Sequence, residues 1–463
     1  MDSFLSWCSD NGIAIHPQFS FSTFDPSNWT VTSSTFLPQD DVLCSIPKRS
    51  LLTPITSSFL QPSSQHLPAS HPSSHTIRLV LSLAYEISIA QKSRWWPYLA
   101  ILPGLREGSE DETVRDELPV FWEEQSEERK WLKGTECERM LRKQRSEFDV
   151  LTSLYSLHYT DLYTLRTLKL AYYLVLTRAF QIDTKHGLGM VPVADLFNHR
   201  SGDRNHAQLE SNDDSFTDPK DGETGGGGEA DTVDLVLQRP FLPYPSSSRE
   251  IDQSQVNLQT PMSDETDGKG EIFNTYGGEL DSAHLFVKYG VLDEEGENER
   301  DRIRFEPWEL SSLPPPTSDA LNSMQRKVEK EEEDLIAKLE RLDLVATEEH
   351  SSDASVEDQE GEDGLEEGEA LYISYDAELS PALSRRVTSL SQLRIMCEER
   401  MKRYYKPDME VEELLDLIDE ARAAGMKNLV MAMQLALGER MVLRAVEEKC
   451  LDGEDEVVEG EME

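Results

Sequence analysis

The stretch from Leu165 to Phe180 is apolar nearly all round, and a helix of that character has no face to give to water. It must be covered from several sides at once, so the chain needs a central helix with other elements packed around it. Arg178 stands near its C-terminal end, where the helix dipole favours a cation. The helix does not read as a membrane span. Its longest apolar run, Leu170 to Leu176, is flanked by Lys169 and Arg178 and falls far short of the roughly 18–20 residues that a bilayer requires.

The elements available to cover this helix come in two textures. Phe4 to Cys8 reads as a short helix stopped by Asn11-Gly12, and β-branched and aromatic runs at Asn28 to Val31 and Val42 to Ile46 read as strands, the second closed by Pro47. From Thr76 to about Tyr163 the period becomes helical, with Ile77, Val80, Leu81, Ala84 and Ile87 spaced for one buried face. Strand and turn return after Gly187, through Met190 to His199, Val233 to Leu237 and Glu271 to Gly277, and Ala283 to Tyr289 reads as a helical turn or two. Beyond Phe305 helices are expected at Met324 to Leu344, Leu390 to Tyr405 and Val411 to Glu448.

Only 38% of the 463 residues are hydrophobic, below the roughly 45–50% of an ordinary domain, so part of the chain must lie outside any core. The Ser/Pro/His-rich stretch Pro62 to His75, the Gly- and Asp-rich stretch 210–270 and the acidic stretch 346–369 fit that role, as does the acidic tail 451–463. Histidines 66, 71 and 75 invite a metal reading, but no acidic or Cys ligand accompanies them. Gly225 to Gly228 are no phosphate cradle, because no Lys-Ser/Thr pair follows. The net charge of −44 repels nucleic acid and favours basic partners. The N-terminus lacks the basic n-region of a signal peptide, and five scattered cysteines indicate free thiols and no disulfide framework or Cys-based zinc site.

The densest polar constellation is Asp195-Leu196-Phe197-Asn198-His199, followed by Asp203, Asn205 and His206. Taken alone it reads first as a turn whose Asx side chains bond their own backbone. A metal reading with Asp195, His199 and His206 as ligands stays open, without a compact helical spacing behind it.

Together, Val191 to His199, Glu271 to Gly277 and Lys288-Tyr289-Gly290 resemble the SET-domain protein lysine methyltransferases, in the branch of the Rubisco large-subunit and fungal ribosomal-protein enzymes. Phe4-Leu5 with Trp7-Cys8 and Asn11-Gly12, Ser45 to Lys48, Trp95 to Leu99 with Leu102-Pro103, and Thr177 to Phe180 extend the resemblance over nearly the whole chain. It implies an α+β fold: a split, pseudoknotted SET β-fold with a helical insertion, followed by an all-α C-terminal domain. On that reading residues 1–75 and 165–306 form the SET domain, 76–164 the insertion and 307–450 a helical substrate-binding domain.

The resemblance also implies S-adenosyl-L-methionine as cofactor, held by Asn198 and His199, with Tyr276 catalytic and beside the cofactor. Tyr289 would line a lysine channel with it, and Arg178 and Asp195 would lie at the substrate. The family's Gly-x-Gly element is absent, and Ser27 with Asn28, Trp29 and Thr30 stands near its position, so those three are the cofactor-binding candidates there. Ser282 and Val291 replace a family Asn and Phe. The implied activity is methyl transfer to lysine in a basic ribosomal or nuclear protein, in the nucleus or cytoplasm, with no part for nucleic acid or membrane. The alternative is an inactive SET fold that binds or escorts basic proteins.

Overall fold

A computed structural model describes residues 1–25, 28–59, 74–106, 118–200, 205–212, 231–243, 270–276, 280–292, 300–310, 371–387 and 389–460. The expected loop 62–75 apart from its last two residues, the glycine run, most of the stretch 210–270, the helix Met324 to Leu344 and the acidic stretch 346–369 lie outside the described residues. In chain order the elements are α1 (Asp2–Asp10), β1 (Ala14–Ile15), β2 (Phe19–Asp25), β3 (Asn28–Ser33), β4 (Val42–Pro47), α2 (Ser74–Ile89), α3 (Trp96–Leu99), α4 (Glu127–Trp131), α5 (Glu136–His158) and α6 (Leu165–Arg178). There follow β5 (Ala179–Asp183), β6 (Gly187–Met190), β7 (Ala207–Ser211), β8 (Thr232–Leu237), β9 (Gly270–Glu271), α7 (Ser282–Tyr289), β10 (Arg302–Arg304) and α8 (Pro307–Leu310). The last are β11 (Tyr372–Ser374), α9 (Pro381–Arg386), α10 (Leu390–Met401), α11 (Val411–Ala423) and α12 (Lys427–Gly460).

The chain divides into two compact units, one of Met1–Trp122, Leu141–Leu280 and His284–Asp293, the other of Glu123–Met140, Asp281–Ala283 and Glu294–Glu463. In the first, β1-β4-β8-β7 form one antiparallel sheet and β2-β3-β9 another, while β5 and β6 pair as a hairpin. Cys44 and Ile46 of β4 pair with Leu235 and Val233 of β8, and all four are buried. α6 starts at Thr164, whose hydroxyl caps the Thr167 N–H, and its residues from Leu170 to Thr177 are all buried, with α2 packed on it. The all-round apolar pattern is thus answered by all-round burial.

Several boundaries differ from the sequence reading. The central helix stops at Arg178, and Ala179 and Phe180, expected inside it, pair instead with Met190 and Gly189 in a hairpin. The polar stretch 210–270 opens inside a strand, because Glu210 and Ser211 of β7 pair with Asp234 and Val233. Of the strand expected at Glu271 to Gly277, only Glu271 is laddered among the described residues, in β9 with Gly270, and Asn274 is held by isolated bridges to His199 and Ala207, while Gly277 lies outside the described residues.

The second unit is mostly helical but not all-α, since Arg302–Arg304 pairs antiparallel with Tyr372–Ser374. Its core gathers Ile303, Phe305 and Ile373 with Leu383, Met396, Leu443 and Val446. The expected single helix Val411 to Glu448 is two. Gly425, at φ +73, ends α11 with its N–H on the Arg422 carbonyl at 3.0 Å, while the Met426 N–H reaches back to Ala421 at 2.9 Å. α12 then continues through Gly460, into what composition alone marked as a tail.

Candidate active site

The segment after α6 and its hairpin makes a sharp turn before the polar constellation. Val193 sits at φ +79, ψ −54, a strained geometry close to the rare γ-turn and unusual for a β-branched residue, and the single turn Ala194–Leu196 follows. Phe197, buried, carries the chain out to Asn198 and His199.

Here two distant stretches interlock through their main chains. The Asn274 N–H donates to the Asn198 carbonyl at 2.8 Å, and the Arg200 N–H returns to the Asn274 carbonyl at 3.2 Å. On the other side the N–H groups of His206 and Ala207 donate to the Phe273 carbonyl at 2.8 and 3.1 Å, and Thr275 donates to Ala207. Residues 273–275 therefore run between the two ends of one loop. The Asn198 side chain adds a third attachment, its Nδ2 donating to the Trp29 carbonyl at 3.1 Å and to Glu271 Oε1 at 2.7 Å.

That interlock delivers Tyr276. Its N–H donates to His199 Nδ1 at 3.0 Å, and its ring lies between two others, 4.8 Å from His199 and 4.4 Å from Tyr289, nearly parallel to both. Its hydroxyl is 3.5 Å from the Phe197 carbonyl. Burial pushes the Tyr276 phenol up to about 12, against the pull of the Arg178 charge, so it stays a neutral donor at pH 7.

Arg178, brought by the end of α6, donates through Nη1 to the Asp195 carbonyl at 2.5 Å. The Asp195 side chain is 3% exposed, and burial raises its carboxyl to about 6, opposed by Arg178 and by the hydroxyl of Tyr98, which donates to Oδ2 at 2.6 Å.

The sequence candidates Arg178, Asp195, Asn198, His199, Tyr276 and Tyr289 thus form one connected set. Trp29 joins it by its carbonyl only. Its indole is buried in the core, donating to the Ile101 carbonyl at 2.9 Å beneath the Arg106 guanidinium. Thr30 is buried on β3, where it pairs with Ser22, and of Asn28 the structure describes the backbone, paired with Asp25. The His206 ring lies apart, its Nδ1 accepting from the Phe273 N–H at 3.0 Å. Among the described residues no cluster of His, Cys, Asp or Glu has the arrangement of a metal site. Sequence reading missed Tyr98 and Glu271. Tyr98 lies inside a motif already noticed, Trp95 to Leu99, but nothing in the sequence says what its hydroxyl meets.

Compared with known proteins, the chain superposes on the SET domain of LSMT in a complex with lysine and AdoHcy with a TM-score of 0.58, over 98% of this chain and 91% of that one, at 17% identity. This chain has the SET-domain fold. Rubisco LSMT bound to AdoMet aligns in the same way, with a TM-score of 0.56 at 16% identity over 98% and 92% of the two chains. By sequence the SET-fold chain is similar to N-lysine methyltransferase SETD6 of Bos taurus, 28% identical over 215 residues, 42% of this chain and 46% of that protein. An uncharacterized protein of Schizosaccharomyces pombe is 27% identical over 216 residues, 43% of each. In these matches the chain spans less than half the length of its curated relatives. No protein-family profile matches it. The resemblance to the SET-domain lysine methyltransferases read from its motifs therefore returns independently in sequence relatives and in fold.

Proposed function

We propose that this SET-fold chain transfers a methyl group from S-adenosyl-L-methionine to the side-chain amine of lysine in a basic protein. The observation that carries the reading is Tyr276, a neutral phenol clamped between His199 and Tyr289 at the point where residues 273–275 pass between the two ends of the 198–207 loop. That passage also supports a pseudoknotted crossing. SETD6 and LSMT, the relatives by sequence and by fold, support the same chemistry.

The residues fit the cofactor. Arg178 Nε and Asn274 Nδ2 are buried without a hydrogen-bond partner among the described residues, two donors of the kind a bound polar ligand satisfies. Asn198, His199 and the main chain of Asn28, Trp29 and Thr30 would hold it. When bound, it supplies an electrophilic methyl on a sulfonium whose S–C bond breaks as the amine lone pair forms the new N–C bond.

The chain's own work is alignment and exclusion of water. A solution lysine must first lose its proton, which at pH 7 costs about 4.6 kcal/mol for a pKa near 10.4. The Tyr276 hydroxyl and the Phe197 carbonyl orient the free amine, and the Tyr289 ring bounds its path. Tyr276, its phenol pushed up by burial, does not ionise to compete as a nucleophile at that pH.

The test is transfer of label from tritiated S-adenosylmethionine to basic proteins of a cell extract, compared with Tyr276→Phe. Label in the wild type and a loss of a hundredfold or more in the variant is expected. No label on any protein, with no cofactor binding by calorimetry, overturns the proposal. In that event, binding of basic proteins that is indifferent to cofactor would favour the escort reading, which the engagement of Asn198 Nδ2 with Trp29 and Glu271 supports.

A further inference from the structure

The Trp95 to Leu99 segment has no part in the proposed transfer, yet it sends one polar atom into the candidate site. Tyr98 is fully buried on α3, its ring packed 6.1 Å from Phe4 and 6.4 Å from Trp7 of α1. Its hydroxyl donates to Asp195 Oδ2 at 2.6 Å. The other oxygen, Oδ1, is buried with no hydrogen-bond partner among the described residues. Arg178 fixes the main chain of the same residue through its carbonyl, and Phe197, two residues on, offers its carbonyl to Tyr276. The carboxylate is thus occupied on one side and, among the described residues, unpaired on the other, on a turn that also carries the acceptor for the tyrosine hydroxyl.

We infer that Tyr98 is a positioning residue for methyl transfer: by holding Oδ2 of Asp195 it keeps Oδ1 open as the acceptor for an N–H of the target amine. This rests on the methyltransferase reading. A donor bond to a carboxylate favours its ionised form, the form able to accept from the amine. Asp195 is faced by Tyr98 of α3, Arg178 of α6, the thiols of Cys8 on α1 and Cys44 on β4, and the phenol of Tyr276. Of these, Tyr98 and Arg178 stabilise the charge, and the buried thiols and phenol stay neutral, their ionisation pushed up by burial. Tyr98→Phe therefore leaves the aromatic packing in place and moves Asp195 toward its protonated form.

The matched control is Tyr172→Phe, which removes another buried hydroxyl of the same unit, one that donates to Glu147 Oε1 at 2.9 Å. Ionisation of Asp195 is followed by the carboxyl-carbon resonance missing from Asp195→Asn, and methyl transfer to extract proteins is followed from pH 5.5 to 9. Tyr98→Phe should raise the Asp195 midpoint and the acid limb of the rate profile by about one pH unit. It should also lower kcat about tenfold with the KM for S-adenosylmethionine within about twofold, whereas Tyr172→Phe should cost melting temperature and move neither titration. An active wild type whose pH profile and kcat are the same in Tyr98→Phe as in Tyr172→Phe overturns the inference and leaves the methyltransferase reading standing. A wild type that labels no protein overturns both.

Discussion

The Tyr276 N–H donates to His199 Nδ1 at 3.0 Å while the two rings stack 4.8 Å apart, so one side chain fixes both the main chain and the ring of the other. Acceptance at Nδ1 assigns the imidazole proton to Nε2. His199→Leu keeps a bulky side chain and removes the acceptor. With a part-buried N–H left unpaired, a stability loss of about 1–2 kcal/mol is expected, together with at least a tenfold loss of label transfer. Melting curves and rates measured on the same preparation check it. A full rate would mean that Tyr289 alone places the ring.

Lys48 is 1% exposed and pairs with Asp183 at 3.0 Å and Asp231 at 2.9 Å. Bonds from His186 and from Lys48 outweigh burial and hold the Asp183 carboxyl well below its usual range. Lys48→Met should therefore cost about 1–3 kcal/mol at pH 7, because it removes a charge-assisted bond from a carboxylate that keeps those of Lys185 and His186. A carboxyl depressed in the folded state contributes stability above its unfolded value and loses it as pH falls, so the gap between wild type and variant should narrow below pH 4. Denaturant melts at pH 7 and pH 3 with equal gaps would refute the pairing.

Glu439 is half-buried in the second unit, accepting from the Glu136 N–H at 2.8 Å and the Tyr404 hydroxyl at 2.7 Å. Burial, then the neighbouring Glu136 charge, pushes its carboxyl well above the usual range, although Arg400 pulls the other way. For a raised carboxyl the contribution to stability is complete below the unfolded value and is lost as pH rises through the folded one. Glu439→Gln retains a carbonyl acceptor and should flatten the fall in melting temperature between pH 5.5 and 8.5. Parallel curves for the two proteins would show that Glu439 is ionised throughout.

Two glycines of the second unit separate backbone strain from steric clash. Gly425, at φ +73, has nothing within 4 Å of an added Cβ, whereas at Gly134, φ +83, that atom would lie 2.8 Å from the Arg403 main chain. Gly425→Ala should cost about 1 kcal/mol, the left-handed penalty alone. Gly134→Ala should cost several times more, and equal losses in urea melts would put the clash in error.

With a net charge of −44, transfer to a whole basic protein should fall as salt shortens the screening length from roughly 10 Å at 0.1 M to about 3 Å at 1 M. A short lysine peptide with few other charges should respond less. Identical salt slopes for the two substrates would remove long-range steering from the account.

Much of the candidate site was legible because its motifs are local. Asn198 and His199 are adjacent in sequence, and Tyr276 and Tyr289 end two readable elements, so the resemblance could be carried residue by residue. β7 was not legible, because Gln208, Glu210 and Ser211 give no apolar alternation and its existence depends on the register of β8. Segment 272–276 has strand composition, but its neighbours come from two ends of one loop and offer isolated bridges in place of a ladder.

The sequence by itself determined what burial and local backbone geometry can specify. Those are a central helix buried from Leu170 to Thr177, a stop at Asn11-Gly12, a net charge of −44, and the motif residues of a SET fold. Tertiary structure alone decided which polar atoms meet: Tyr98 with Asp195, separated by 97 positions, Asn198 with Trp29 and Glu271, and Lys48 with two aspartates. Apolar periodicity is a one-dimensional signal because every buried face wants the same thing, removal from water. A hydrogen bond requires two particular atoms at one distance and angle, and their partnership exists only once the chain has brought them together.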